Sequence, residues 1–289
     1  MKKAHMIIDV ARCHDCNNCF ISCKDEHWDN DHLPIAKAQP RHGHRWIDID
    51  RLERGQYPLQ DVSYLPNMCM HCEDPACMKA AKNGEIYKRP DGIVIIDPVK
   101  AKGKKELAES CPYGAISAIF WNDESKIAQK CTMCAHLLDA GWKQPRCSNS
   151  CPTGAMTFFM AEDSEMAKII KDQGLESYYP KEEPMPTVMY KNLYRFTKCH
   201  VAGSVAIAHE DECAEGAAIT LTSAKTKAVS KGTTNNYGDF KLDGLDPNSG
   251  RYVLEVEFKG SKKRVEVDLK ASINVGTIYV EKSSTPVRA

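Results

Sequence analysis

Twelve cysteines lie in the first 151 of the 289 residues, in spacings that suit metal binding. The first group, CHDCNNCFISC, reads Cys13-x2-Cys16-x2-Cys19-x3-Cys23. Three thiolates at intervals of three residues can line one tight loop and bind three irons of a cubane cluster. In two-cluster ferredoxins the fourth cysteine ligates the other cluster. In an intracellular protein such spacing favours metal over disulfides, and we interpret the group as a [4Fe-4S] motif, with tetrahedral zinc as the alternative.

A later group, CTMCAHLLDAGWKQPRCSNSCP, reads Cys131-x2-Cys134-x12-Cys147-x3-Cys151. By itself this spacing also suits a four-cysteine zinc site. Beside the first group, and because it ends in Cys-x3-Cys-Pro, it is better interpreted as a ferredoxin motif whose loop carries an insertion. We therefore expect two complete ligand sets, which are Cys13, Cys16, Cys19 and Cys151, and Cys23, Cys131, Cys134 and Cys147.

The middle group, CMHCEDPAC, supplies three ligands, Cys69, Cys72 and Cys77. A fourth cysteine is expected three residues further on, but that position is Ala81. The pair Cys111-Pro112 has no cysteine near it, although a regular motif ending there would have cysteines at 101, 104 and 107. Those positions are Ala101, Lys104 and Leu107.

With these motifs the chain resembles the four-cluster ferredoxin-type electron-transfer subunits of molybdopterin oxidoreductases related to dimethyl sulfoxide reductase. In that family four motifs pair first with last and second with third. The resemblance implies that a fourth cluster would need residues 81, 101, 104 and 107, none of which is a ligand here. It also implies that Cys111 completes the set of Cys69, Cys72 and Cys77, which gives three [4Fe-4S] clusters and twelve thiolate ligands.

Three further features point to one branch of this family. They are the absence of the ligands for a fourth cluster, an appended β-domain, and the segments QKCTMCAHLLD, CPYG and KNLYRF. Together they are similar to the small iron-sulfur subunits of pyrogallol-phloroglucinol transhydroxylases and related anaerobic phenol hydroxylases. This resemblance implies a heterodimer with a large catalytic subunit that carries molybdenum bound by two molybdopterin guanine dinucleotides and acts on polyhydroxylated aromatics. The alternatives are a subunit of a respiratory molybdopterin reductase and a structural zinc protein.

Other features exclude whole classes of function. The 39 basic and 39 acidic residues balance, so no net charge attracts nucleic acid. The sequence has no apolar run of the roughly 18 residues that a membrane helix needs, and MKKAHMIIDV is not a secretory signal. We therefore expect a cytoplasmic protein with no direct membrane insertion. No phosphate loop, dinucleotide fingerprint or nucleophile motif is present, so we expect no catalytic residue on this chain.

The fold class that these patterns predict is α+β, with a doubled bacterial-ferredoxin-like domain followed by an all-β immunoglobulin-like sandwich. The first domain covers residues 1–175 and contains an insertion at 28–66. An extended linker follows at 176–198, because YYPKEEPMPTVMYKNLYRF is interrupted by prolines. Residues 199–289 contain seven short alternating segments, which predict an antiparallel sandwich similar to immunoglobulin-like or carboxypeptidase-regulatory-like modules.

Within the first domain, MIIDV, GIVIID, AISAIF and MTFFM predict strands, and SEMAKIIKDQG predicts a helix that ends at Gly174. The insertion is expected to cover a cluster or face a partner, and its histidines, His32, His42 and His44, are expected to be surface or hydrogen-bonding residues. Cys199 and Cys213 are expected to be free buried thiols.

Four basic residues flank the cysteine loops. They either moderate the negative charge of thiolate-bound clusters or are ordinary surface charges, and the sequence favours neither reading. These residues are Arg12, Lys24, Lys100 and Lys130.

Overall fold

The computed structural model describes residues 1–113, 119–179, 187–210 and 212–281, and the chain divides into two compact units. The first unit comprises Met1–Arg51 and Tyr64–Leu193, and the second comprises Leu52–Ser63 and Tyr194–Ala289. Residues 52–63, in the later part of the 28–66 insertion, are therefore part of the second unit, a placement that the local sequence does not indicate.

Short elements separate the cysteine loops of the first unit. Its strands are β1 (Lys3–Asp9), β4 (Ile86–Lys88), β5 (Val94–Ile96), β6 (Phe120–Asn122), β7 (Ile127–Gln129), β8 (Met156–Ala161) and β9 (Val188–Lys191). Its helices are α1 (Asn18–His27), α2 (Ala76–Ala80), a 3-10 helix (Lys105–Glu109), α3 (Ala135–Asp139), α4 (Arg146–Asn149) and α5 (Asp163–Gln173). Strands β2 (Ile47–Gln56) and β3 (Leu59–Met68) form a two-stranded hairpin.

A three-stranded sheet in the order β8-β1-β9 organises the first unit. Strand β1 pairs antiparallel with β8, where Ile8 lies opposite Met156, and parallel with β9, where Met6 lies opposite Val188. Five consecutive residues of β1 are buried, as expected for a central strand that is covered on both faces. The strands predicted from MIIDV and MTFFM are therefore confirmed, and GIVIID contains β5.

Helix α5 packs against this sheet through an apolar face. Met166 of the helix is buried in one hydrophobic cluster with Ile7 and Met189 of the sheet. The helix ends at Gly174, whose φ of 60° is the left-handed conformation that glycine adopts at low cost. The helix and its termination at Gly174 are as predicted. Of the predicted strand AISAIF, residues 115–118 lie outside the described residues.

The second unit is built from a short helix, α6 (Tyr194–Thr197), and seven strands in two sheets. These strands are β10 (Cys199–Ile207), β11 (Ala218–Ser223), β12 (Val229–Thr233), β13 (Asp239–Leu245), β14 (Gly250–Phe258), β15 (Ser261–Leu269) and β16 (Ile273–Val280). One sheet has the order β13-β10-β16 and the other β12-β11-β14-β15. Alternate residues of β14, including Leu254 and Val256, are fully buried in the shared core, which matches the predicted period of two.

Three predictions for this region need correction. The sandwich is not wholly antiparallel, because β10 and β16 pair in parallel, with Val201 opposite Ile273. The predicted linker is not extended throughout, because it contains β9 and the helix α6, although its residues 180–186 lie outside the described part. Cys199 is a buried free thiol as expected, whereas Cys213 is an exposed one.

In the part of the chain that the structure describes, no helix is both long enough and apolar enough to span a membrane.

Candidate iron-sulfur centres

The first expected ligand set comes together around the start of α1. Burial raises the pKa of Cys19 to about 12, and the charges of Cys13, Cys16 and Cys151 add to the rise. Burial also disfavours the thiolate of Cys151, but hydrogen bonds from the Thr153 hydroxyl and from backbone N–H groups outweigh it and lower the pKa. The four thiols therefore lie within mutual electrostatic range, although Cys151 is far from the others in sequence.

The second expected set is deeply buried. Burial raises the pKa of Cys147 well above its ordinary value, and the charges of Cys134, Cys131 and Cys23 add to this rise. The side-chain amide of Gln39 donates a hydrogen bond to Sγ of Cys23 over 3.4 Å. The predicted insertion thus contributes a residue that contacts a ligand, a contact that the sequence did not identify.

The third expected set includes the isolated Cys111. Burial raises the pKa of Cys111 to about 11, and Cys69 and Cys72 contribute further. Cys77 is raised to about 12 by burial, with Cys69, Cys111 and Cys72 again adding to the shift of its pKa. The Tyr113 hydroxyl lies 3.8 Å from Sγ of Cys72. The structure therefore brings Cys111 to the three clustered cysteines.

Electrostatic contacts link the three sets in the order first, second, third, and we refer to this order as the row. Cys19 of the first set raises the pKa of Cys147 in the second, and Cys69 of the third raises the pKa of Cys131 in the second. Among the described residues, the second set is thus the one that interacts with both others.

The first C-x2-C spacing in each of the three cysteine groups shares one backbone feature. The residue before the second cysteine has a left-handed φ in each, namely Asp15 at 55°, His71 at 45° and Met133 at 47°. Left-handed residues in such turns direct successive backbone N–H groups into a concavity that favours anions, as in many iron-sulfur sites. The repetition indicates one type of site formed three times.

A fourth loop keeps this backbone conformation without ligands. In Ala101-Lys102-Gly103-Lys104 the third residue, Gly103, has a φ of 79°. The Lys104 side chain forms an ion pair with Glu85 at 2.9 Å rather than occupying a ligand position. The other three positions of the absent set lie in a single apolar cluster. Those positions are Ala81, Ala101 and Leu107.

The four flanking basic residues differ in environment. Lys130 is 2 % exposed, whereas Lys100 is an exposed residue. Lys24 is partly buried and donates hydrogen bonds to the carbonyl oxygens of Pro40 and His44. The structure thus shows that Lys130 and Lys24 are not ordinary surface charges, a distinction that the sequence could not make.

Three histidines gather beside the second set. One ring nitrogen from each of His27, His32 and His136 lies within 4.8 Å of the others. The rings of His32 and His136, however, stack at 3.7 Å with an angle of 14°, so their in-plane lone pairs cannot converge on one ion. Glu26 lies 3.0 Å from Nε2 of His136, and His27 Nε2 lies 3.9 Å from Sγ of Cys134. We interpret the group as hydrogen-bonded support for the Cys134 loop.

The expectation for the insertion histidines therefore holds in part. His42 is exposed, and His32 is a hydrogen-bonding residue whose Nε2 lies 3.0 Å from the Glu26 carbonyl oxygen. His44 instead stacks on Phe120 at 3.8 Å.

Two family models match the chain. Residues 60–161 match a 4Fe-4S dicluster domain, and residues 200–278 match a carboxypeptidase regulatory-like domain. The fold and its grouped cysteines thus define an iron-sulfur protein with an appended β-domain.

Relatives narrow this class. The chain is 46% identical over 283 residues to the pyrogallol hydroxytransferase small subunit of Pelobacter acidigallici, covering 96% of this chain and 99% of that protein. It is 30% identical to a sulfite dehydrogenase subunit of Allochromatium vinosum, covering 70% of this chain and 87% of that one. It is 28% identical to a putative dimethyl sulfoxide reductase iron-sulfur subunit of Halobacterium salinarum, covering 65% and 78%. The chain belongs to the family of the pyrogallol hydroxytransferase small subunit, which confirms the resemblance identified from its motifs.

Proposed function

We propose that this chain holds three [4Fe-4S] clusters in a doubled ferredoxin-like domain and transfers electrons for a molybdenum enzyme that acts on polyhydroxylated aromatics. The observation that supports this most is the gathering of twelve cysteines from distant segments into three groups of four. The fourth loop, in which Ala101, Leu107 and an ion-paired Lys104 stand at the ligand positions, supports three clusters rather than four.

The chemistry of the donor sets fits iron. Burial raises the pKa of Cys131 and Cys134 to about 12, so bare thiolates would be costly at neutral pH. Iron binds the thiolate form, which releases the protons and compensates the buried negative charge. Bound in these sets, the clusters would supply one-electron carriers.

The protein residues around the ligands hold them in place and moderate their charge. The Met133 N–H group donates to Sγ of Cys131 at 3.3 Å, and Gln39 donates to Cys23. Hydrogen bonds to ligand sulfurs are one of the means by which a protein sets cluster potentials. The linear order of the sets suits stepwise electron transfer from one end of the row to the other.

The substrate site lies on a partner in this proposal. We assign the catalytic chemistry to a large subunit with molybdenum bound by two molybdopterin guanine dinucleotides, and this chain to the small subunit of a heterodimer. The relative's name, pyrogallol hydroxytransferase, supports a phenolic substrate. A reducing compartment keeps free cysteines reduced, so we place the complex in the cytoplasm. A relative such as a tetrathionate reductase subunit of Salmonella typhimurium, 30% identical over 194 residues, keeps the respiratory alternative as the second candidate.

The experiment that tests the function is anaerobic purification of the chain from its native host with whatever subunit accompanies it. We expect a large subunit that contains molybdenum, and a preparation that converts pyrogallol to another trihydroxybenzene. A partner without molybdenum would contradict the proposal. A quinol-oxidising membrane subunit in its place would favour the respiratory candidate.

A further inference from the structure

Lys130 is a buried cation between the second and third ligand sets. Its Nζ donates hydrogen bonds to the carbonyl oxygens of Val94 and Cys131, the latter at 2.9 Å. Both of these partners are neutral backbone groups, so neither supplies a counter-charge to the ammonium group. Burying an ammonium without a counter-charge is costly. The counter-charge must therefore come from elsewhere, and the neighbouring ligand thiolates are the candidates.

A hydrogen-bonded network fixes the position of this charge. The Val94 carbonyl accepts from Lys130, while the Val94 N–H donates to Nδ1 of His71 at 3.0 Å. His71 lies in the loop between Cys69 and Cys72, so one residue of β5 connects that loop to the ammonium group. These hydrogen bonds hold the ammonium group of Lys130 between Cys131 and the strand residue Val94, which itself contacts the loop from Cys69 to Cys72.

The positive charge of Lys130 acts on ligands of the third set as well as on Cys131 of the second. Burial raises the pKa of Cys72, Cys77 and Cys111, and the positive charge of Lys130 opposes that rise in each of them. In the second set it opposes the rise at Cys131. The charge thus favours the anionic form of three ligands at one end of the row.

We propose that Lys130 is a fixed positive charge that raises the reduction potential of the cluster bound by Cys69, Cys72, Cys77 and Cys111. This inference rests on the proposed function. Reduction adds one electron to a thiolate-ligated group that is already negative, and no bond breaks. A cation in a buried, weakly screened position stabilises the reduced form more than the oxidised form.

The cluster held by Cys69, Cys72, Cys77 and Cys111 lies at the end of the row, and we refer to it as the terminal cluster. In the intact complex the electron would come from the cluster held by Cys23, Cys131, Cys134 and Cys147, which would be oxidised as the terminal one is reduced. Ala81, Ala101 and Leu107 occupy three of the four ligand positions of the absent set, and Lys104 pairs with Glu85. The described residues of this chain therefore offer no further cluster site beyond the terminal one. A potential raised by Lys130 would make the terminal cluster the favoured place for an electron within the row.

The test is a redox titration of the iron-loaded protein followed by electron paramagnetic resonance. In Lys130→Gln, at the wild-type midpoint of the terminal cluster, we expect its reduced-to-oxidised ratio to fall at least tenfold, or ~59 mV for a one-electron couple. Glutamine retains an N–H donor for a carbonyl group but lacks the charge. Lys130→Arg retains the charge. In this variant the reduced-to-oxidised ratio of the terminal cluster should stay within about threefold of the wild-type ratio.

Lys24→Gln is the matched control. Lys24 also adjoins a ligand cysteine and donates to two carbonyl oxygens, and its charge opposes the raised pKa of Cys23. Its replacement should shift the second cluster and leave the terminal one unchanged. A terminal potential that is unaltered in Lys130→Gln, with full iron content, would overturn the inference but not the proposed function. Absence of iron from the wild type would overturn both.

Discussion

Replacing Cys111 with alanine is expected to remove one cluster and leave two. Cys111 is the proposed ligand of the third set that comes from outside the CMHCEDPAC loop, and its thiol is within electrostatic range of those of Cys69 and Cys72. A cubane with three thiolates and no fourth donor is readily lost, so iron should fall by about four atoms per chain out of about twelve. Iron and sulfide analysis, with the spectrum of the reduced protein, measures this.

Cys199→Ala is the control for that experiment. Cys199 is a buried free thiol, but it lies in β10, where its Sγ is 3.3 Å from the Leu245 carbonyl oxygen. Its replacement should leave the iron content at the wild-type value. If Cys111→Ala retained all its iron, or lost iron equally from all three sets, the assigned pairing would be wrong.

Arg54→Met is expected to destabilise the second unit by about 3 kcal/mol. Arg54 is 4 % exposed and donates to Asp61, to both oxygens of Asp243 and to the Lys198 carbonyl. Burial opposes the ionisation of Asp243, but Arg54 and the Gly244 N–H outweigh it and lower the pKa. Removal of the arginine leaves the carboxylates without their main partner. Urea unfolding, with hydrogen exchange of β13 as the local probe, measures the loss.

Arg264→Met provides the comparison. Arg264 also pairs with a carboxylate, Glu255, but the two side chains are 76% and 41% exposed. An exposed ion pair contributes only about 0.5 kcal/mol, since water screens it. If the two variants unfolded at the same urea concentration, the buried network would have no special role in the stability of the second unit.

The local parts of this structure could be predicted from the sequence. Cysteine spacing, the strand alternation in β14 and the helix that ends at Gly174 depend on neighbours a few residues apart. The pairing of strands depends on residues far apart in the sequence. Alternation alone therefore could not reveal that β10 pairs in parallel with β16. The sequence-distant assignment of Cys111 required a family resemblance.

Burial was the main quantity that the sequence did not provide. Lys130 and Lys100 are equivalent in a string of letters, but one is enclosed by backbone carbonyls and the other faces solvent. Gln39 contacts a ligand sulfur from within an insertion that carries no recognisable motif. Both depend on how distant loops pack, for which single-sequence periodicity carries no signal.

The loop from Ala101 to Lys104 also shows which features the sequence reveals and which require the structure. Its sequence shows that the ligands are absent, whereas only the structure shows that Gly103 keeps the left-handed turn of a cluster-binding loop. Packing of Ala101 and Leu107 in the apolar cluster leaves that place occupied by hydrocarbon.

The central claim is three [4Fe-4S] clusters on twelve cysteines, and the most direct test is metal and sulfide analysis of the anaerobically purified chain. We expect about twelve irons and about twelve acid-labile sulfides per chain, with no stoichiometric zinc. A content of about eight or about sixteen irons would contradict the assigned ligand sets. Zinc in place of iron would contradict electron transfer itself.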